Sequence, residues 1–336
     1  MNELIFFVNK VLISGMVLGS IYALGAVGIT LIFGILRFAH FAHGDVMTLG
    51  AFVTFVLTSI ASALAAGMGI VTPIPVPILV LPLAMAISAI LVLGIDRGFY
   101  APLRARGAKP VILLIASIGV TLMIQGLIRL FSGASSRSFY VDTPKQIFRI
   151  DMSFLGATRP IVITEPQIWM ISLTIVSVFA LHFFLTRSRL GKGMRAMADN
   201  PALAQVSGIN TQLVVRVTWI IAGSLACLAG TMLALDVSLK PDLAFNILLP
   251  IFAAAIVGGL GHSYGAIAGG FLVGYAETMS VFNWAILLRP FRAGLPEWIP
   301  NDLSIVPTEY KLTVAFTILV IVLLVKPTGL FKGVSS

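Results

Sequence analysis

One cysteine in 336 residues, Cys227, excludes an intrachain disulfide, and its place inside an apolar run marks it as a small buried side chain. Charge is almost as scarce. Asp, Glu, Lys and Arg make up 10% of the chain, where soluble domains average about 25%. Acids are the scarcer sign, 13 against 22 Lys and Arg, for a formal net charge of +9. With 58% hydrophobic residues and a mean hydropathy of +1.04, the chain reads as a polytopic membrane protein. The basic residues fall between apolar runs, which points to anionic lipid headgroups and topology. No basic face with interleaved aromatics is present, so nucleic acid is not an expected partner. A basic start followed by a small-residue cleavage site is also missing, and the first apolar segment is expected to be a retained span.

Apolar runs predict helices over 11–33, 45–66, 76–95, 111–131, 167–186, 213–236, 246–260, 265–287 and 312–326. The expected fold is all-α, a polytopic transmembrane helical bundle of about 8–9 spans forming a single domain over 1–336. The run at 246–260 is short for a crossing, so it and 34–52 are candidates for broken or re-entrant helices. The 94–110 connection carries Arg97, Arg104, Arg106 and Lys109; the 187–212 connection carries Arg187, Arg189, Lys192 and Arg195. Both read as cytoplasmic under the positive-inside rule. The tail adds Lys326 and Lys332, and nine spans then put the N-terminus outside and the C-terminus inside. The outer segments hold basic residues too, five between Arg129 and Arg159, but acids dilute them. The outer loop 132–166, with Pro144, Pro160, Pro166 and Val/Ile/Phe alternation, is either a small folded cap or a solvated connector. A second outer loop, 288–311, is rich in proline and holds Trp298, which suits an interfacial aromatic belt.

An internal match suggests an inverted repeat with halves at about 11–131 and 213–326. His43, Gly50 and Phe52 match His262, Gly269 and Phe271 at the same spacing, and Gly19–Leu24 compares with Gly223–Leu228. Inverted repeats with broken helices recur in transporters, with the pathway at the repeat interface.

The stretch Gly34–Phe52 puts Arg37, His40, His43 and Asp45 within nine residues of an apolar region. A charge at the bilayer centre costs from about 2.5 kcal/mol upward, so this cluster faces protein, water or the membrane edge. Four uses are open. Two histidines and a carboxylate suit zinc, though on a helix Asp45 shares a face with Arg37 and Phe41 instead. Histidine also suits a proton relay. The histidines otherwise hydrogen-bond across helices beside a break at Gly44, or the break lines a substrate path. Gly258, Gly259 and Gly261, ahead of His262, read as a second break. Gly15, Gly19 and Ala23, Gly265 and Gly269, and Gly270 and Gly274 form small-residue faces for close helix packing. Glu277 falls in the middle of a span, as a functional acid or an interhelical hydrogen bond, and Gln125 is a milder case.

The 187–212 segment predicts a short helix over Met194–Ala198. A second, capped by Asp199 or Asn200, opens at Pro201 and ends at Gly208. Such a pair makes a docking handle for a partner. Leu190–Gly193 is not a Walker A loop, since no Gly stands five residues before Gly191 and no Ser or Thr follows Lys192. If ATP is used, another subunit binds it.

Three blocks in this order resemble one family. They are G-S-I-Y-A-L-G-A-V-G-I-T-L-I-F-G-I-L-R-F-A-H-F-A-H-G-D-V-M-T-L-G-A-F from Gly19, the 190–210 loop, and G-G-L-G-H-S-Y-G-A-I-A-G-G from Gly258. They resemble the branched-chain amino acid ABC transporter permeases, specifically the LivH-like member of the pair. His40 stands where that family usually has Asn, and His262 and Ser263 vary slightly from its later motif. The resemblance implies a permease of the inner membrane without enzymatic activity, binding no cofactor itself. It implies a second, homologous, LivM-like permease, two cytoplasmic ATP-binding subunits and a periplasmic substrate-binding protein delivering Leu, Ile or Val. Relatives import urea, short amides or other amino acids. The expected ATPase contact comprises Gly191, Arg195, Ala196, Asp199, Asn200, Ala204 and Gly208. The expected path comprises Arg37, His40, Phe41, His43, Gly44, Asp45, Gly258, Gly259, Gly261, His262 and Glu277. An ion-coupled secondary transporter using Glu277 or the histidines, and a channel-like facilitator, are the competing classes.

Overall fold

The computed structural model describes residues 1–70, 72–140, 144–290, 300 and 302–331. Helix α1 runs over Asn2–Leu36, α2 over His43–Met68, α3 over Val76–Ala105 and α4 over Pro110–Ser132. Strands β1 (Ile147–Ile150) and β2 (Ile161–Thr164) pair antiparallel, with Ile147 opposite Thr164. Helix α5 spans Glu165–Arg187, α6 Arg189–Asp199, α7 Pro201–Val206 and α8 Thr211–Asp236. Helix α9 spans Phe245–Gly258, α10 Ser263–Val281, α11 Ala285–Leu288 and α12 Lys311–Val325. Among the described residues seven helices are long and apolar enough to cross a membrane, and α9 is a shorter apolar one. The chain is thus an all-α polytopic bundle, as its apolar runs predict.

Helix α1 is the axis: 83% of its apolar window is buried, against 11% for the last span. Small residues bring α10 onto it. Gly270 abuts the Ala23 backbone, Gly274 abuts Gly19, and the Tyr275 ring lies over Gly15. Two of the small-residue faces therefore dock on each other. Without a hydrophobic force between helices in lipid, such backbone approach supplies the packing. Helices α2 and α8 meet the same way, with Gly50 on Cys227 and Gly230 on the Met47 carbonyl.

Two segments turn back into the bundle. After Leu36, residues 37–42 return to mid-length of α1 and α8, where the His43 ring lies against Gly28 near the Ala222 carbonyl. After Asp236, residues 237–244 likewise return, and Gly44 meets the Ala244 carbonyl. The packing then exchanges in pairs: α1 on α10 with α8 on α3, α1 on α9 with α8 on α2, α9 on α10 with α2 on α3, and α9 on α12 with α2 on α4. In this arrangement α2 corresponds to α9. The residues matched by spacing stand in different places, since His43 opens α2 mid-bundle while His262 caps α10 at the end carrying α6.

Four boundaries differ from the apolar pattern, one being α10, which ends at Val281 rather than 287 because Phe282 turns to extended backbone. Helix α1 starts at Asn2, not 11. Helix α3 continues through the expected 94–110 loop to Ala105, because Asp96 and Arg104 neutralise one another at 2.7 Å. Helix α6 starts at Arg189 rather than Met194, because Gly191 sits so close to Phe184 and Leu185 that its lack of a side chain favours the helix. In the 132–166 loop, the alternating segments form the hairpin. Arg137 pairs with Leu239, tying the loop to the 237–244 return. In the 288–311 loop, Pro296 and Trp298 lie outside the described residues, as does Lys332 of the tail.

Candidate functional site at the first chain break

Helix α1 stops at Leu36 because Arg37 adopts φ 57°, the left-handed region that L residues rarely enter. Arg37 is the sole non-glycine residue to do so among the described residues. Its guanidinium donates to the Ala198 carbonyl of α6 at 2.5 Å. Side chains then hold the return. The Phe41 N–H donates to Ser117 Oγ at 3.1 Å, and the Phe41 ring packs on Phe252 at 4.9 Å. His40 Nε2 and the Tyr100 hydroxyl are 3.1 Å apart, and Tyr100 stacks on Trp219 at 5.4 Å and 9°. The His40 ring meets Trp219 edge-on at 5.0 Å.

Helix α2 opens at His43. Gly44 needs its missing side chain, since a Cβ there falls 2.9 Å from the Ala244 carbonyl oxygen. Thr48 Oγ1 accepts from the Ala244 N–H at 3.1 Å and donates to the Gly44 carbonyl at 3.2 Å. Asp45 is fully buried and accepts from Gln125 Nε2 at 2.9 Å; Gln125 in turn accepts from the exposed Arg129 at 3.4 Å. The centre thus assembles His40, Phe41, His43, Gly44 and Asp45 near the point where the N-termini of α2 and α9 meet, while Arg37 stays at the α6 end on Ala198. His40 Nδ1 and Trp219 Nε1 have no hydrogen-bond partner among the described residues. An unmatched buried polar atom costs about 1–3 kcal/mol, a penalty that an apolar packing junction would avoid.

The other expected path residues lie elsewhere. Gly258, Gly259, Gly261 and His262 form the second break, at the α6 end. Gly259 and Gly261 take φ 99° and 85°, which glycine alone enters without strain. His262 caps α10, accepting from the Gly265 N–H at 2.9 Å. Glu277 is buried between α1, α10 and α12, accepting from Tyr22 at 3.0 Å with Lys311 Nζ at 3.6 Å. It is paired and removed from the centre. No group of three or more metal-ligating side chains exists among the described residues.

Helices α6 and α7 form the expected helix pair. Gly191, Met194 and Met197 face inward, while Arg195 and Asp199 are exposed and Ala196 is half-buried. Asn200, not Asp199, caps α7, accepting from the Leu203 N–H at 3.0 Å. Ala204 is buried beneath α7, whose Leu203 and Val206 are exposed, and Gly208 closes the segment at φ 81°. The Ala198 side chain and Gly261 both lie against Gly34, so the last turn of α1 stands between α6 and the second break.

Tyr100, Trp219 and Ala244 are missed by reading the sequence. The available signal was a tryptophan inside a span rather than at its rim.

A model of the family described as branched-chain amino acid transport system, permease component, matches residues 11–323. The high-affinity branched-chain amino acid transport system permease protein BraD of Pseudomonas aeruginosa is 31% identical over 331 residues, 98% of this chain and 97% of its own. The high-affinity branched-chain amino acid transport system permease protein LivH of Escherichia coli strain K12 is 30% identical over the same shares. The probable LivH of Methanocaldococcus jannaschii is 28% identical over 82% of each chain. The chain is a multi-pass membrane protein and not an enzyme: it belongs to the family of branched-chain amino acid transport permeases and is a permease of an ABC importer.

Proposed function

We propose that this chain carries branched-chain, hydrophobic amino acids through the inner membrane, beside a second, LivM-like permease, with the first break as its substrate contact. Similarity along 98% of the chain to high-affinity branched-chain amino acid permeases carries the reading. The chemistry of the centre agrees with it. A zwitterion needs both signs of charge and an apolar wall. The N-termini of α2 and α9 offer partial positive charge to a carboxylate. Asp45 offers a partner for the ammonium group, and Phe41 with Phe252 supplies the wall.

Two ATP-binding subunits dock on α6 and α7 from the cytoplasm, so this chain binds no cofactor, and a periplasmic binding protein delivers substrate to the opposite end. The C-terminus is then cytoplasmic. The Arg37–Ala198 hydrogen bond links α6 to the first break, and the Gly34–Gly261 contact carries that link through α1 to the second. The paired helix contacts support inverted halves in which α2 corresponds to α9.

The test is to purify the complex with its ATPases and measure ATP hydrolysis stimulated by binding protein loaded with Leu, Ile, Val, urea or an amide. Stimulation by the branched-chain amino acids is expected. Stimulation by urea or amides alone changes the substrate. Transport by this chain alone under a proton gradient overturns the whole reading.

A further inference from the structure

At the α6 end a cavity of about 740 Å³ opens between the last turns of α3 and the first turns of α8, with α6 closing one side. It belongs neither to the centre at His43 nor to the exposed face of α7. Its polar wall is formed by Asp96, Arg97, Arg104, Thr211, Gln212 and Arg216. Three guanidinium groups face a single carboxylate. Asp96 and Arg104 satisfy each other at 2.7 Å. Arg97 and Arg216 are exposed and have no hydrogen-bond or ion-pair partner among the described residues.

The cavity lies where helices end, which is headgroup depth for a spanning bundle. Ala105 is the last residue of α3 and Thr211 the first of α8. Just inward, Leu91 and Phe99 on α3 and Leu213 and Ile220 on α8 are exposed. An arginine fork matches phosphate in a bidentate way, and basic pockets between spans suit anionic headgroups. A free anion would need only the arginines. The apolar surface beside them fits acyl chains.

We infer that this cavity binds an anionic phospholipid, its phosphate between Arg97 and Arg216 and its acyl chains along α3 and α8. The lipid bridges α3 to α8 beside α6. The inference is independent of which amino acid is carried.

The test uses the permease purified with its ATPase subunits, with bound lipid counted by native mass spectrometry. The probes are phosphatidylglycerol, phosphatidylcholine and inorganic phosphate. The complex should retain phosphatidylglycerol about tenfold more tightly than phosphatidylcholine. The Arg97→Gln/Arg216→Gln pair should lose about that factor for phosphatidylglycerol alone and keep its ATPases. Arg97→Lys/Arg216→Lys, which keeps charge and loses the fork, should fall between. Arg106→Gln, outside the cavity in the next connection, should behave as wild type. If the paired variant does not assemble, Arg216→Gln alone should show a loss of about fivefold. Equal retention of both lipids, or retention unchanged by the glutamines, overturns the inference. Displacement of the lipid by inorganic phosphate would assign the cavity to a free anion instead. Release of the ATPases by the glutamine variant would assign it to a protein contact. Either result also overturns it.

Discussion

The two chain breaks look alike in sequence, each a histidine beside glycines in an apolar region, yet they are built from different materials. The first, at 37–44, has one backbone approach, Gly44 on the Ala244 carbonyl, and is otherwise held by side chains: Arg37 on Ala198, His40 on Tyr100, Phe41 on Phe252, Asp45 on Gln125. The second, at 258–262, is held by backbone approach, with Gly258 and Gly265 in mutual contact and His262 serving as a helix cap. Side chains can be exchanged without moving helices, whereas backbone contacts cannot. The proposed function accordingly assigns substrate contact to the first break and the fixing of shape to the second.

Gly258→Ala should break that comparison most severely. The added Cβ meets the Gly265 carbonyl, the helices must part, and assembled permease recovered by fluorescence-detected size exclusion should fall more than about tenfold. No single side-chain change should rescue it. Gly28→Ala is the contrast, because its Cβ clashes with the His43 ring while the Ala222 carbonyl lies at an ordinary 3.6 Å. Its loss should be largely restored in Gly28→Ala/His43→Ala, and absence of rescue would mean that the first break is backbone-limited too.

Asp45→Leu comes next. Uptake per assembled complex should drop about tenfold, equivalent to about 1.4 kcal/mol on the transport barrier. Asp45→Asn, which keeps an acceptor for Gln125, should lie between it and wild type. His262→Ala should cost about 1 kcal/mol of stability through the lost cap, read as a lower thermal midpoint, with uptake per assembled complex unchanged. His262→Asn should restore the midpoint. Glu277→Gln should have the smallest effect. It keeps the acceptor for Tyr22, and the lysine whose attraction it loses stays partly exposed to solvent. Its uptake should be normal; abolished uptake would revive ion coupling through that acid.

The spans were legible because apolar runs of about 20 residues are a physical requirement of the bilayer. Both breaks were legible from glycine clusters and from polar residues that hydrocarbon does not tolerate. The continuation of α3 was not, because Arg97 and Arg104 look like loop residues until Asp96 is seen paired to one of them. The aromatic box was not, because Tyr100 and Trp219 lie far apart in sequence and reach His40 only through the return of 37–42. Which helices face one another was not legible for a related reason. His43 and His262 share a spacing, but the helix facing α2 across the Gly44–Ala244 contact is α9, which carries no histidine. Spacing records local geometry, while partners across the bundle are set by the order of contacts.

The central claim is that the first break lines the substrate route and the second does not. It is tested most directly by labelling Phe41→Cys, Asp45→Cys and Ser263→Cys with a water-soluble maleimide in membranes holding the full complex. Wild type serves as blank, since Cys227 is fully buried. During ATP-driven turnover, positions 41 and 45 should react and be protected by binding protein loaded with leucine, while position 263 reacts no faster than the blank. Labelling of 263 with protection by substrate, and none at 41 or 45, would contradict the account.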